Sequence, residues 1–251
     1  MRVSVLSSGS KGNTTYIETD KAKILIDIGN TSKYVKEKLE DFGVKPEELD
    51  GILITHTHVD HVKGLKVFKK RYNVSVYITD IMRSALDYLD SYEVLSDEFD
   101  IKDLHITAIK TSHDTDDSRG YILTNNDSSI VYITDTGYIN KKYFDLLSNK
   151  NLYIMESNHD VEMLSNGRYP FQLRQRILSD KGHLSNYDSS KYLSTFIGDN
   201  TKYIMLAHLS EENNTEELAY ETLINRLSSD NKQVPDIIIL KQDKETELIT
   251  I

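Results

Sequence analysis

Apolar positions along this chain fall into short runs, and most of those runs read as strands. Residues 2–7, 14–19 and 22–28 are the first three. Between the first two lies Ser7-Ser8-Gly9-Ser10-Lys11-Gly12-Asn13, small and polar with two glycines. Such a loop can turn tightly and bring backbone N–H groups to an anion, although a plain hairpin has the same composition. Residues 32–42 have helical spacing and stop at Gly43, a C-terminal cap. Gly51-Ile52-Leu53-Ile54 reads as a buried strand, 62–71 as a helix and 74–78 as a strand. Residues 80–90 read as a helix with Asp80 as N-cap. Segments 103–110, 119–124 and 129–134 form a meander, with Asn125-Asn126-Asp127 turning between the last two. Helical pieces near 140–148 precede a strand at 151–156 and an irregular or helical stretch, 160–183, with one proline. A helix at 186–198, a strand at 202–207 and a helix at 214–228 follow, and β-runs at 236–240 and 246–251 close the chain. Strand clusters with interspersed helices fit an α/β (α+β) fold of two sheets packed face to face with helices outside.

Composition narrows the setting. The length of 251 residues suits one domain with a large core, and no linker or internal sequence repeat divides it, so residues 1–251 are expected to form a single domain. There is no cysteine, which excludes disulfides and thiolate ligands. No run approaches the roughly 20 apolar residues of a membrane span. The start, Met1-Arg2-Val3-Ser4-Val5-Leu6, enters a strand without the apolar stretch of a signal peptide. The expectation is a cytoplasmic protein with no membrane partner. A net charge of −10 argues weakly against polyanionic partners. Two basic stretches run against that sum: Lys63, Lys66, Lys69, Lys70 and Arg71, then Arg168, Arg174, Arg176 and Lys181. Either also fits a solvated helix face.

The chemistry concentrates in Thr55-His56-Thr57-His58-Val59-Asp60-His61, directly after the buried strand. It packs three imidazoles and a carboxylate into six residues. Neutral imidazole suits zinc and other late first-row metals, and carboxylate also admits manganese. Four such groups are too many for one open catalytic ion but can serve two, with His56 and His58 facing one and Asp60 and His61 the other.

These residues resemble the signature of metallo-β-lactamase-fold hydrolases. That family also needs an upstream Asp and then a His, an Asp and a last His, which this chain offers as Asp27, His113, Asp135 and His208. The resemblance implies a four-layer αββα sandwich and two divalent metal ions per chain, zinc or manganese. It implies that His56, His58 and His113 hold the first ion, that Asp60, His61 and His208 hold the second, and that Asp135 bridges them. Asp27 is then a partner behind the site that orients ligands. His105, inside a strand, is structural.

Late motifs narrow the family. The loop at 7–13, THTHVDH, Glu156-Ser157-Asn158-His159-Asp160, Gly182-His183-Leu184-Ser185-Asn186 and Leu206-Ala207-His208-Leu209-Ser210 together resemble the YycJ/WalJ-type group. The resemblance implies a DNA exonuclease linked to DNA repair, acting 5′ to 3′ on double-stranded DNA. The last two motifs are also similar to those of tRNA 3′-processing endonucleases, but there is no inserted β-CASP domain and no exosite arm. DNA is therefore favoured over RNA. On this reading Asp60 takes up a proton, His183 with Glu156 behind it meets the phosphate or the leaving oxygen, and Ser10, Asn13, Asn158 and His159 line the substrate. Three other readings stay open: a carbonyl-directed metallohydrolase of thioesterase, lactonase or β-lactamase type, an RNA-processing nuclease, and a non-catalytic metal-binding regulatory protein. Oligomeric state is not legible.

Overall fold

A computed structural model describes residues 1–126 and 128–251. Asp127, expected in a turn, lies outside the described residues. The first half of the chain forms β1 (Arg2–Ser7), β2 (Thr14–Glu18), β3 (Lys23–Ile26), β4 (Gly51–Leu53), β5 (Val76–Ile78) and β6 (Glu93–Val94). Among these lie α1 (Ser32–Asp41), α2 (Val59–Val62) and α3 (Leu65–Tyr72). The second half forms β7 (Glu98–Ile101), β8 (Leu104–Lys110), β9 (Arg119–Asn125), β10 (Ser128–Ile133), β11 (Leu152–Glu156), β12 (Tyr203–Ala207) and β13 (Asp236–Ile239). With it come α4 (Phe144–Leu147), α5 (Val161–Asn166), α6 (Phe171–Ile177), α7 (Asn186–Phe196) and α8 (Glu216–Ser229). The last strand, β14 (Ile249–Thr250), returns to pair with β1.

The strands make two seven-stranded sheets, ordered β14-β1-β2-β3-β4-β5-β6 and β13-β12-β11-β10-β9-β8-β7. Both follow one plan, antiparallel up to β3 or β10 and parallel beyond. Period-two alternation explains the layering. Ile24, Ile26 and Leu53 face the other sheet, where Ile130, Tyr132, Leu152 and Ile154 meet them. Leu25, Ile52 and Ile54 face outward onto Val35 and Leu39 of α1 and Leu65 and Phe68 of α3. Val131, Ile133, Tyr153 and Met155 face outward onto Leu193 and Phe196 of α7 and Leu223 and Leu227 of α8. Both faces of the central strands are buried, so these runs carry no polar alternation. The result is the expected αββα sandwich. Among the described residues no helix is long and apolar enough to cross a membrane.

Several elements differ from the sequence reading. The helix expected over 62–71 begins earlier and breaks at Gly64, separating α2 from α3. A side chain at Gly64 would overlap the Asn30 carbonyl, and the Gly64 N–H donates to Ile28 O at 2.9 Å. The helix expected over 80–90 is a run of tight turns with one 3-10 turn at Met82–Ser84, and Asp80 is no α-helical N-cap. Its N–H groups bond three residues back, which still buries Met82, Leu86 and Leu89. Strands β6 and β7 were not anticipated. The 160–183 stretch holds α5 and α6, and of 246–251 only Ile249–Thr250 is a strand.

Candidate metal centre

The C-terminal ends of β3, β4, β8, β10, β11 and β12 converge, and the chain turns sharply just beyond them. Asp27, Asp135 and His208 each follow one of these strands with φ of 59°, 54° and 56°. The left-handed region costs a non-glycine residue on the order of 1–3 kcal/mol and persists where the surroundings fix it. For Asp27 those surroundings are explicit. Its N–H donates to Leu53 O at 2.9 Å, and its carboxylate accepts from Thr55 N–H at 2.8 Å and from Thr55 Oγ1 at 2.7 Å. For His208, the N–H donates to Ser8 Oγ at 2.9 Å.

Asp27 in turn orients His61. His61 Nδ1 lies 2.7 Å from Asp27 Oδ2, so the proton sits on Nδ1 and Nε2 is turned inward. There Nε2 lies 3.2 Å from Asp135 Oδ2 and 3.5 Å from Asp60 Oδ2. Asn13 Nδ2 approaches the same nitrogen at 3.0 Å. His208 Nε2 lies 3.5 Å from Asp60 Oδ2 and 3.5 Å from Asp135 Oδ1. On the other side of Asp135, the His56, His58 and His113 rings cluster with centroids 4.7–5.1 Å apart. Four overlapping groups of donor atoms result: His56, His58 and His113; His56, His61 and Asp135; Asp60, His61 and His208; and Asp135, Glu156, His183 and His208.

The electrostatics suit cations. Burial, with His61 nearby, holds the His56 imidazole well below its ordinary pKa, in the neutral form a metal needs. Burial also opposes charge on Asp60 and Asp135, but the surrounding imidazoles overcome it and hold both carboxyls well below the usual range. In the metal-free chain burial would lower His208, yet Asp135, Asp60 and Glu156 raise it to about 10. Within this cluster His56 Nε2, His208 Nε2 and Asp135 Oδ2 are buried without a hydrogen-bond partner. Each such orphan costs about 1–3 kcal/mol unless something satisfies it. Divalent cations in the overlapping groups would satisfy all three, and imidazole and carboxylate donors fit such ions.

Glu156 anchors the neighbouring wall. Its Oε2 accepts from Thr136 N–H and Leu184 N–H, both at 3.0 Å, and its Oε1 lies 2.7 Å from His183 Nδ1 and 3.3 Å from His208 Nδ1. Burial opposes its charge, but His183 and His208 push its carboxyl down to about 2. His183 is thereby fixed through Nδ1, which leaves Nε2 available.

A family model for the metallo-beta-lactamase superfamily matches residues 8–208. That span runs from the loop bonded to His208 through His208 itself. The chain belongs to the metallo-beta-lactamase superfamily, in the group that includes WalJ and YycJ. It is 39% identical over 237 residues to exodeoxyribonuclease WalJ of Streptococcus pneumoniae, covering 90% of this chain and 88% of the relative. It is 38% identical over 227 residues to exodeoxyribonuclease YycJ of Bacillus anthracis, covering 87% and 86%. Among solved structures, the metallo-beta-lactamase fold protein YhfI from Bacillus subtilis superposes with a TM-score of 0.75 at 17% identity, over 98% of both chains. At that identity the likeness concerns the fold. Membership and the buried His/Asp clusters together make this a divalent-metal-binding protein.

The remaining expected site residues fall in three places. Asn13 is buried against the centre, 3.3 Å from Asp60 Oδ2. Asn158 Nδ2 donates to His208 O at 2.9 Å, and His159, buried behind it, has its Nδ1 3.3 Å from Asn158 Oδ1. Ser10 is exposed. The loop is not an anion cradle: the N–H groups of Ser8, Gly9, Lys11, Gly12 and Asn13 bond within the chain. His105 is exposed on β8 and pairs with Asp100 at 2.8 Å. In the first basic stretch, Lys69 Nζ donates to Val74 O at 2.9 Å and Lys66 Nζ lies 5.3 Å from the Tyr88 ring centre.

Two members of the centre escaped the sequence reading. Asp114 Oδ1 lies 3.2 Å from His113 Nε2 and 3.8 Å from His58 Nε2, and it has no hydrogen-bond partner. Asp114 Oδ2 is held by Arg176 Nε at 2.8 Å, which ties α6 to the three-imidazole corner. Asp114 was legible only as the neighbour of His113, and its pairing with Arg176 needs the fold.

Proposed function

We propose that this protein is a metal-dependent DNA exonuclease that hydrolyses phosphodiester bonds with two divalent ions, zinc or manganese. The observation that carries the chemistry is Asp135, a buried carboxylate standing between two groups of imidazoles. On this reading His56, His58 and His113 hold one ion, Asp60, His61 and His208 the other, and Asp135 both. Ions bound there supply a water of lowered pKa and positive charge against phosphate oxygens.

The chain's own residues do the rest. Asp27 and Thr55 fix His61, and Asn13 fixes the Asp60 carboxylate. Asp60 is only partly buried and is the carboxylate placed to take the proton of the attacking water. Glu156 holds His183 by Nδ1, so its Nε2 can donate to the phosphate or to the leaving oxygen. The substrate class comes from the relatives: WalJ and YycJ are exodeoxyribonucleases, and the identity to them extends over about nine-tenths of the chain. Double-stranded DNA, 5′ to 3′ polarity, a place in DNA repair and a cytoplasmic setting belong to the same proposal.

The test is a metal-supplemented assay on end-labelled single- and double-stranded DNA, RNA and closed circular DNA. The expected result is shortening of linear DNA from one end, with circles intact. Cleavage of RNA alone, or turnover of an acyl substrate with DNA untouched, would overturn it.

A further inference from the structure

Beside the centre, a cavity of about 240 Å³ lies among Lys110, Ser112, Tyr138, Lys142 and Tyr143. It continues through Tyr138 and Asn140 into one of about 550 Å³ lined by Lys141, Lys191 and Tyr192. Its near end is tied to the metal centre through Ser112. Ser112 directly precedes His113; its N–H donates to Thr136 Oγ1 at 3.0 Å and its carbonyl accepts from Gly137 N–H at 2.9 Å. Thr136 N–H in turn donates to Glu156, the carboxylate that holds His183. A strand lying in this groove would pass beside Ser112, the residue before His113.

The lining matches a polyanion with flat faces. Lys110, Lys141, Lys142 and Lys191 take part in no ion pair among the described residues, in a chain whose net charge is −10. Among the described residues Asp188 is the one acidic group lining these two cavities, and it accepts from Ser185 Oγ at 2.7 Å. Tyr138 is 41% exposed. The Tyr143 ring lies 4.7 Å from Lys142 Nζ, and its hydroxyl accepts from Lys110 N–H at 3.2 Å. The Tyr192 hydroxyl accepts from Ile139 N–H at 3.2 Å. The Tyr143 and Tyr192 rings are thereby held, and Tyr138, which lines both cavities, is the exposed one. A third cavity opens past Lys142, but Asp97 and Glu98 line it and would repel phosphate.

We propose that this groove binds a single-stranded stretch of nucleic acid continuous with the bond being cut, with lysines on its phosphates and Tyr138 as a stacking face. The proposal rests on the nuclease reading above. It is tested with metal-loaded protein and a fluorescent single-stranded DNA whose linkages are phosphorothioate, so that binding is read without cleavage. Tyr138→Ala should bind roughly tenfold more weakly. A Lys110→Ala/Lys142→Ala double variant should lower the slope of log affinity against log salt by about 1.4, at about 0.7 per phosphate contact. Equal metal content and equal urea midpoints establish that the variants are folded; Tyr138→Leu and Lys142→Gln replace any that are not. Wild-type binding with variants of unchanged affinity and slope overturns the groove alone. A wild type that neither binds nor cuts any DNA overturns the nuclease reading and the groove with it.

Discussion

His183 and His208 share one carboxylate, yet their outward nitrogens face different things. His208 Nε2 looks at Asp60 and Asp135, whereas His183 contacts Asp135 only through the Nδ1 that Glu156 already holds. His208→Ala should therefore lose metal first and activity as a consequence, with partial rescue at high added metal. His183→Ala should keep its metal and lose turnover by roughly 10²–10⁴-fold. Single-turnover cleavage at matched metal occupancy separates the two; normal cleavage by His183→Ala, or metal loss equal to that of His208→Ala, removes the assigned role. His159 carries a different expectation. Burial pushes its imidazole down to about 4 from the ordinary 6.5. The unfolded chain takes that proton as pH falls through about 6.5, and the folded chain refuses it until about 4. The stability tied to neutral His159 is thus complete above pH 6.5 and is lost on acidification, by about 2 kcal/mol between pH 7.5 and 5. Urea midpoints across that range should fall less steeply for His159→Gln than for wild type. Equal slopes would mean that His159 titrates normally. The dense spacing of His56, His58, Asp60 and His61 was legible in the sequence itself, because so many imidazoles and carboxylates rarely fall together by chance, whereas Asp27, His113, Asp135 and His208 stood out only through the family resemblance. The sequence could not disclose the parts played by Asp114 and Arg176, whose places depend on contacts between distant segments.

At the scale of elements, the site depends on how closely the start of α2 lies against the loop after β3. Asn13 N–H donates to Asp60 O at 2.8 Å and Ile28 N–H to His61 O at 2.8 Å. A Cβ at Gly29 would overlap both the Asp60 carbonyl and the Asn13 amide nitrogen. Gly29→Ala must therefore displace the Asp60 backbone and with it the start of α2. The expected outcome is a loss of stability on the order of 1–3 kcal/mol, typical of overpacking, together with weaker metal binding. Urea denaturation and a competitive metal-dye titration would check both; unchanged metal affinity would mean that α2 is free to shift. The same element explains part of what the sequence hid. The apolar spacing over 62–71 was read as one helix, but the close approach of Asn30 forces the break at Gly64, and no local pattern encodes that approach. Central strands such as β10 and β11 were plain because both faces are buried and apolar. β6 was not, since its two residues are exposed and it gains a strand's conformation only by pairing with β5.

Across the whole molecule, the centre joins the two sheets. Asp27, His56, His58, Asp60 and His61 come from the half that builds the first sheet, and His113, Asp135, Glu156, His183 and His208 from the half that builds the second. A cation bound between them would hold the halves together and bind only the folded state, so its binding energy would add to stability. At free metal about 100-fold above the dissociation constant, each site should contribute about 2.7 kcal/mol. For a chain of this length about 1 kcal/mol moves Tm by roughly 2–4 °C, so one loaded site should raise Tm by about 5–10 °C. Chelation should reverse that rise, and added zinc or manganese should restore it in a concentration-dependent way. Asp135→Ala is the informative control. Removing the carboxylate between the two imidazole groups should flatten the metal dependence of Tm, whereas removing a residue assigned to one ion alone, as in His58→Ala, should leave part of it. A Tm indifferent to chelator in the wild type would mean that no ion spans the sheets. An Asp135→Ala variant with a full metal response would mean that the two imidazole groups bind independently of the residue between them.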